Sequence, residues 1–175
     1  MRDNRDMHRC FTTGWMIIAP IRIKGGVIMS EFSEKMGMAA GNAFKGGCNC
    51  SEAIVEAFRK EAGVPIDDNA FRMCSGFGGG IGHARDLCGA LAGSVMVISV
   101  LGGRSTPQEK PLSEIYPLTL EFHERFKAEF GGTACGELMK FEFNTRDHLK
   151  NCIKLVNKVA QLLAIFLEEK GLVKP

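Results

Sequence analysis

The stretch TRDHLKNCIKLVNKVAQLLAIFLEEKG, residues 145–171, decides the fold class. In it Leu149, Cys152, Val156, Val159, Leu163 and Phe166 recur at alternating spacings of three and four residues. That is the period of one apolar face of an α-helix, opened by an N-cap at Thr145 and stopped by Gly171. Working outward, the same period returns in Phe32, Met36, Ala39 and Ala43, behind a cap at Ser30 and before Gly46-Gly47. Ser51 starts a further helix with Glu52 in its first turn, Cys50, Ile54 and Ala57 on its inner face, and Gly63-Val64-Pro65 at its end. Asp67 or Asp68 caps a short helix through Met73. Residues 88–101 form a small-residue helix in which Gly89 and Gly93 leave a groove for close backbone approach, by an internal neighbour or a symmetric partner helix. Ser113 caps a helix carrying Leu118, Phe122, Phe126 and Phe130, and Thr133 caps a short turn over residues 135–139. The run GFGGGIG, residues 76–82, is too rich in glycine for a helix. No stretch alternates with period two for long enough to argue a sheet, and there is no internal repeat. The expected architecture is all-α, a single-domain bundle of about six helices with a glycine-rich loop.

Composition agrees with such a domain. The 175 residues are 45% hydrophobic and 24% charged, which excludes a disordered or collagenous chain. Seven cysteines, an odd number in a chain able to bury its own core, argue against a disulfide-stapled secreted framework. A formal charge of +2 without a basic block gives no reason to expect nucleic acid. The uncharged stretch 88–103 includes four glycines and falls short of the ~20 apolar residues of a spanning helix. The expectation is a cytoplasmic protein without direct membrane insertion.

Residues 1–28 read differently from the rest. They begin MRDNRD, carry a short apolar patch from Trp15 to Ile18 and are broken by Pro20, without the long apolar run or cleavage site of a secretory signal. Gly25-Gly26 ahead of Met29 can be encoded as a purine-rich ribosome-binding sequence. We therefore expect a non-native or disordered extension over 1–28, with translation starting at Met29 and the cysteine-motif domain over 29–175. Removing 1–28 takes five basic and two acidic residues from the 22 and 20 of the chain, leaving a formal charge of −1. It also removes Cys10 from the chemistry.

Several chemistries lack their residues. Ile81 occupies the third glycine position that G-x-G-x-x-G would need after Gly76-Phe77-Gly78, and no Lys-Ser/Thr follows, so no nucleotide is expected. There is no C-x-x-C, no C-x-x-C-H for haem and no H-E-x-x-H. What remains are Cys48, Cys50, Cys74, Cys88, Cys135 and Cys152. Cys50, Cys88 and Cys135 each fall at a helix start, where unpaired N–H groups stabilise a thiolate and lower its pKa. Cysteine is also among the most buried residue types, and Cys152 on its apolar stripe suits the core equally well.

The segments Gly47-Cys48-Asn49-Cys50-Ser51-Glu52-Ala53, the glycine run 76–82, Cys88-Gly89-Ala90-Leu91-Ala92-Gly93, Cys135-Gly136-Glu137-Leu138 and Cys152 resemble, in order, the C_GCAxxG_C_C family. This is a mostly bacterial and archaeal family of redox-active proteins often encoded near transporter genes. The resemblance covers about residues 33–167 and matches the four family cysteines to Cys50, Cys88, Cys135 and Cys152; Cys48 and Cys74 lie outside the pattern. A fainter similarity extends to the iron–sulfur part of split-Soret cytochromes. The resemblance implies a redox-active site on those four cysteines, a redox partner still to be identified and an association with a transporter; the groove at Gly89 and Gly93 leaves room for a homodimer. Four readings stay open at this level. The cysteines could ligate an iron–sulfur cluster or exchange disulfides as catalytic thiols; they could hold structural zinc, or be packed in a non-enzymatic helical interaction protein. His83 and Arg85, just before Cys88, could raise thiolate character, and His83 could substitute as a ligand.

Overall fold

Helix α8, Arg146–Glu169, is the longest element and organises the rest. The Thr145 hydroxyl accepts from the His148 N–H at 3.2 Å, and Gly171 adopts the left-handed φ of +65° that ends the helix. Val156, Val159, Leu163 and Phe166 are buried as the stripe requires. The computed structural model describes residues 22–24 and 27–174. Most of the expected extension over 1–28, with Cys10, Trp15 and Gly25-Gly26, lies outside the described residues; Arg22–Lys24 (β1) and Val27–Met29 (β2) pair antiparallel.

Helix α1, Glu31–Lys45, packs along α8 in the most extensive contact of the fold. The two run antiparallel: the Ser30 hydroxyl donates to Glu168 at the far end of α8, while Gly41 lies against Asn157 and Ile153. Helix α2, Cys50–Glu61, packs against α1 and against α5, Gly89–Gly102. Helix α5 is apolar on nearly every side and therefore central. Helix α6, Tyr116–Phe130, closes the bundle by sending Phe122 and Phe126 into the core, with Phe122 edge-on to Phe166 at 5.4 Å. Short helices α3, Asp68–Arg72, and α7, Cys135–Leu138, join these elements. The chain is an all-α single domain: apart from β1–β2, the described residues hold one isolated bridge, Leu87 to Ala134.

Four local expectations need correction. Asn49, not Ser51, sets the start of α2. Its side chain accepts from the Ser51 and Glu52 N–H groups while Glu52 accepts from the Asn49 N–H, so Cys50 is the first helical residue. Ser113 is not the cap of α6. Residues 111–115 form a turn, and Pro117, which lacks an N–H, fixes the first helical turn beside it. Leu149 is 41% exposed, because α1 ends one turn beyond the Gly41 contact and leaves the start of α8 uncovered. The glycine run does contain hydrogen-bonded turns, a 3-10 turn over Ser75–Phe77 and the single-turn α4, Gly78–Ile81, but Gly79 and Gly80 have left-handed φ of +63° and +71°.

The groove on α5 is filled from within the chain. A Cβ on Gly93 would stand 2.7 Å from the Ser51 carbonyl oxygen at the first turn of α2. Glycine to alanine inside an exposed helix gains about 1 kcal/mol of propensity. Here we expect Gly93→Ala to lose about 1–3 kcal/mol, because backbone must move to admit the methyl group. Urea denaturation of the variant checks this, and a stabilised protein would contradict the packing.

Candidate functional site

Three of the four cysteines singled out in the sequence open onto one cleft of about 470 Å³. Cys50 stands at the start of α2, Cys135 at the start of α7, and Cys152 two turns into α8. Cys88 does not line the cleft. It caps α5 from behind, buried, close enough that Cys50 and Cys135 act on its charge. All six described cysteines are free thiols.

Two devices hold the group together. The first is missing side-chain volume: a Cβ on Gly89 would lie 2.5 Å from Cys50 Sγ, and a Cβ on Gly80 would lie 2.6 Å from Cys135 Cβ. Glycine at these positions lets the backbone lie directly against a cysteine. The second is a short antiparallel seam. The Cys88 N–H donates to the Thr133 carbonyl at 2.9 Å, the Cys135 N–H to the Asp86 carbonyl at 2.6 Å, and the Gly136 N–H to the Arg85 carbonyl at 2.8 Å. Glu137 secures the seam by accepting from the Thr133 and Ala134 N–H groups, which hold its carboxyl below the ordinary range. Ala134, not Thr133, is the residue at the cap.

The electrostatics run against a simple helix-start argument. Backbone N–H groups of Gly79, Ser51 and Gly89 do act on Cys50, and those of Leu91 and Ala90 on Cys88, each favouring the thiolate. Burial is the larger effect, and it raises both thiols above the ordinary cysteine range, Cys88 to about 12. Burial likewise pushes Cys152 up to about 12, with Cys50, Cys135 and Cys88 adding to the rise. Cys135 is raised by burial and by Cys50, against the opposing charge of Arg85.

The model of the C_GCAxxG_C_C family, described as "Putative redox-active protein", matches residues 48–166, a span that contains every cysteine of the cleft. The chain belongs to the C_GCAxxG_C_C family. This family member is also 23% identical over 131 residues to a protein of Archaeoglobus fulgidus named "Uncharacterized protein", covering 70% of the chain and 86% of that relative. No solved structure matches the chain.

Other residues complete the surroundings. Cys48, outside the family pattern, lies on the cleft wall beside Asn49. Cys74 does not: it is fully buried, with its sulfur 3.7 Å from that of Met96. His83 lines the cleft, stacked on Phe143 at 4.2 Å. Arg85 lies over the same ring and donates to the Met139 and Phe141 carbonyls at 2.9 and 3.0 Å. Sequence reasoning missed His148, whose Nε2 lies 3.5 Å from Cys152 Sγ. Its signal was the four-residue spacing to Cys152 on one helix face. Among the described residues no group of three or more His, Cys, Asp or Glu side chains is placed to hold a single metal ion, and no helix is long and apolar enough to cross a membrane.

Raised thiol pKa values have a consequence for the metal-free protein. A thiol raised in the fold binds its proton above the pH at which the unfolded thiol, near 8.5–9, loses it. Its contribution is therefore complete below about pH 8.5 and is lost as pH climbs from there toward 12. We expect urea stability to fall across that window, and to fall less steeply in the Cys88→Ser and Cys152→Ser variants. At pH 7 iodoacetamide should alkylate Cys88 and Cys152 at least about tenfold more slowly than an unstructured cysteine, since only the thiolate reacts. Rapid labelling of both would contradict the burial argument.

Proposed function

We propose that this C_GCAxxG_C_C protein is an electron-transfer protein whose Cys50, Cys88, Cys135 and Cys152 bind an iron–sulfur cluster. What carries the reading is one arrangement: Cys50, Cys135 and Cys152 open onto a single cleft and Cys88 stands buried behind them, close enough for the four to act on one another's charge. Cys50 and Cys88 sit at helix starts, whose free N–H groups do little for a neutral thiol and become valuable once the sulfur carries negative charge as a metal ligand. A thiol held near 12 is a poor attacking group at neutral pH, which weighs against disulfide exchange as the main activity.

The donor set fits a soft metal centre: four thiols from separate segments, three of them opening onto one cleft and Cys88 buried behind it. Structural zinc is disfavoured, since the described side chains form no trio around a single point. When bound, a cluster would supply one-electron transfer. The chain's own part is to present the sulfurs, two of them beside the free N–H groups at the starts of α2 and α5, and to bury Cys88 away from water. Electron donor and acceptor would meet it at the open cleft on the Cys135 and Cys152 side. We propose further, from the family resemblance alone, that it works in the cytoplasm beside a transporter.

Anaerobic purification with a visible spectrum and iron and sulfide analysis tests the reading. We expect charge-transfer absorption with bound iron and acid-labile sulfide, all lost in Cys88→Ser. A colourless protein whose four thiols titrate as two reversible disulfides would shift the function to thiol–disulfide exchange. Neither metal nor redox-dependent thiol loss would leave a helical interaction protein.

A further inference from the structure

His148 is the buried titratable group that the cysteine reading leaves unused. Its side chain is only 7% exposed, and Nδ1 has no hydrogen-bond partner among the described residues. Nε2 faces Cys152 Sγ at 3.5 Å. Phe143 fixes the ring from the side, edge-on at 5.1 Å, and is itself stacked on His83 and covered by Arg85. The imidazole is thus seated, with one nitrogen on a sulfur and the other on nothing.

That asymmetry decides where the proton belongs. A neutral imidazole carries one N–H and one bare nitrogen. A proton on Nδ1 would be an orphaned buried donor, the rarer defect in folded proteins, and would leave Nε2 merely to accept from a weak S–H. A proton on Nε2 is aimed at the Cys152 sulfur and finds a strong acceptor there whenever that sulfur carries negative charge.

We propose that His148 is a positioning residue that donates an Nε2–H···S hydrogen bond to Cys152 and thereby raises the reduction potential of the centre the cysteines hold. This rests on the cluster reading given above and adds the residue that tunes it. Hydrogen bonds to ligand sulfurs stabilise the more negative, reduced state. Removing this one shifts the balance toward the oxidised state, and the Phe143 edge contact makes the ring's direction part of the effect.

Two measurements test it. In potentiometric titration of the reconstituted protein, His148→Leu moves the reduction equilibrium about tenfold toward the oxidised form, about 59 mV more negative for a one-electron couple. His148→Gln, which keeps an N–H donor, recovers part of that shift. An unchanged potential in the leucine variant, at iron and sulfide contents equal to the wild type, overturns the proposal while leaving the cluster reading standing. The second measurement needs no variant: nitrogen-15 NMR of the reconstituted wild-type protein, in which the Cys152 sulfur carries negative charge, should place the His148 proton on Nε2. A proton on Nδ1 overturns the proposal. Should the wild-type protein take up no iron or sulfide, the cluster reading falls, and with it the role in setting a potential.

Discussion

The contact on which the rest of the site depends is that of Gly89 with Cys50. The first turn of α5 lies so close to the first turn of α2 that a single methyl group on Gly89 would overlap Cys50 Sγ, and one turn later Gly93 meets the Ser51 backbone in the same way. Two helix starts pressed together place two sets of free N–H groups in one small volume. Cys50 and Cys88 stand at those starts, so the sulfurs inherit the donors. The α2–α5 contact is therefore both packing and electrostatics. Loss of Gly89 would be felt first at the Cys50 sulfur, and loss of Gly93 at the Ser51 backbone beside it.

Burial and hydrogen bonding pull on these thiols in opposite directions, and their balance gives the site its character. Were the N–H groups the larger effect, Cys50 and Cys88 would be thiolates in the resting protein, reactive toward any accessible disulfide or alkylating agent. With burial larger, they rest as neutral thiols and become charged when something else supplies the compensation. A metal centre provides such compensation, because binding expels the protons and brings positive charge to the sulfurs. The same balance operates at Cys152, where the neighbouring cysteines join burial in opposing ionisation. Four thiols that resist ionising one by one are well suited to being ionised together.

What the sequence made legible was whatever depends on period and on local chain chemistry. The three-and-four spacing on α8, the Ser30, Asp67 and Thr145 caps and the glycine at 171 all act within a turn or two, and each is found where the pattern puts it. The family resemblance, rather than any spacing, pointed to four cysteines, and these stand on four separate segments. The failures have a tertiary origin. Leu149 has the right period for the core, but the partner helix stops short of it. Asn49 outcompetes Ser51 as a cap because Glu52 closes a reciprocal pair with it. Cys48 reaches the cleft wall although it lies outside the motif, and His148 shares a helix face with Cys152 but acquires its meaning only when Phe143 and Arg85 arrive from elsewhere. A helical period alone cannot say whether a half-apolar face meets core or cleft.

The segment from Gly79 to Arg85 shows what assembling the site requires. Ile81, His83 and Arg85 take left-handed φ of 61–70° along with Gly79, Gly80 and Gly82, a conformation disfavoured for residues with a Cβ and most of all for a β-branched one. The strain is offset by contacts that only this path allows. The Arg85 and Asp86 N–H groups donate back to the Gly79 and Gly80 carbonyls, and the Arg85 guanidinium ties the loop to residues 139 and 141. At one end the loop directs the Gly79 N–H to Cys50, and at the other it offers the Asp86 carbonyl to the Cys135 N–H. An extended or helical path through these residues would lose one of those ends. Bulky, positively charged and β-branched residues thus stand in a glycine conformation where the loop joins two cysteines that the helices alone would leave unconnected.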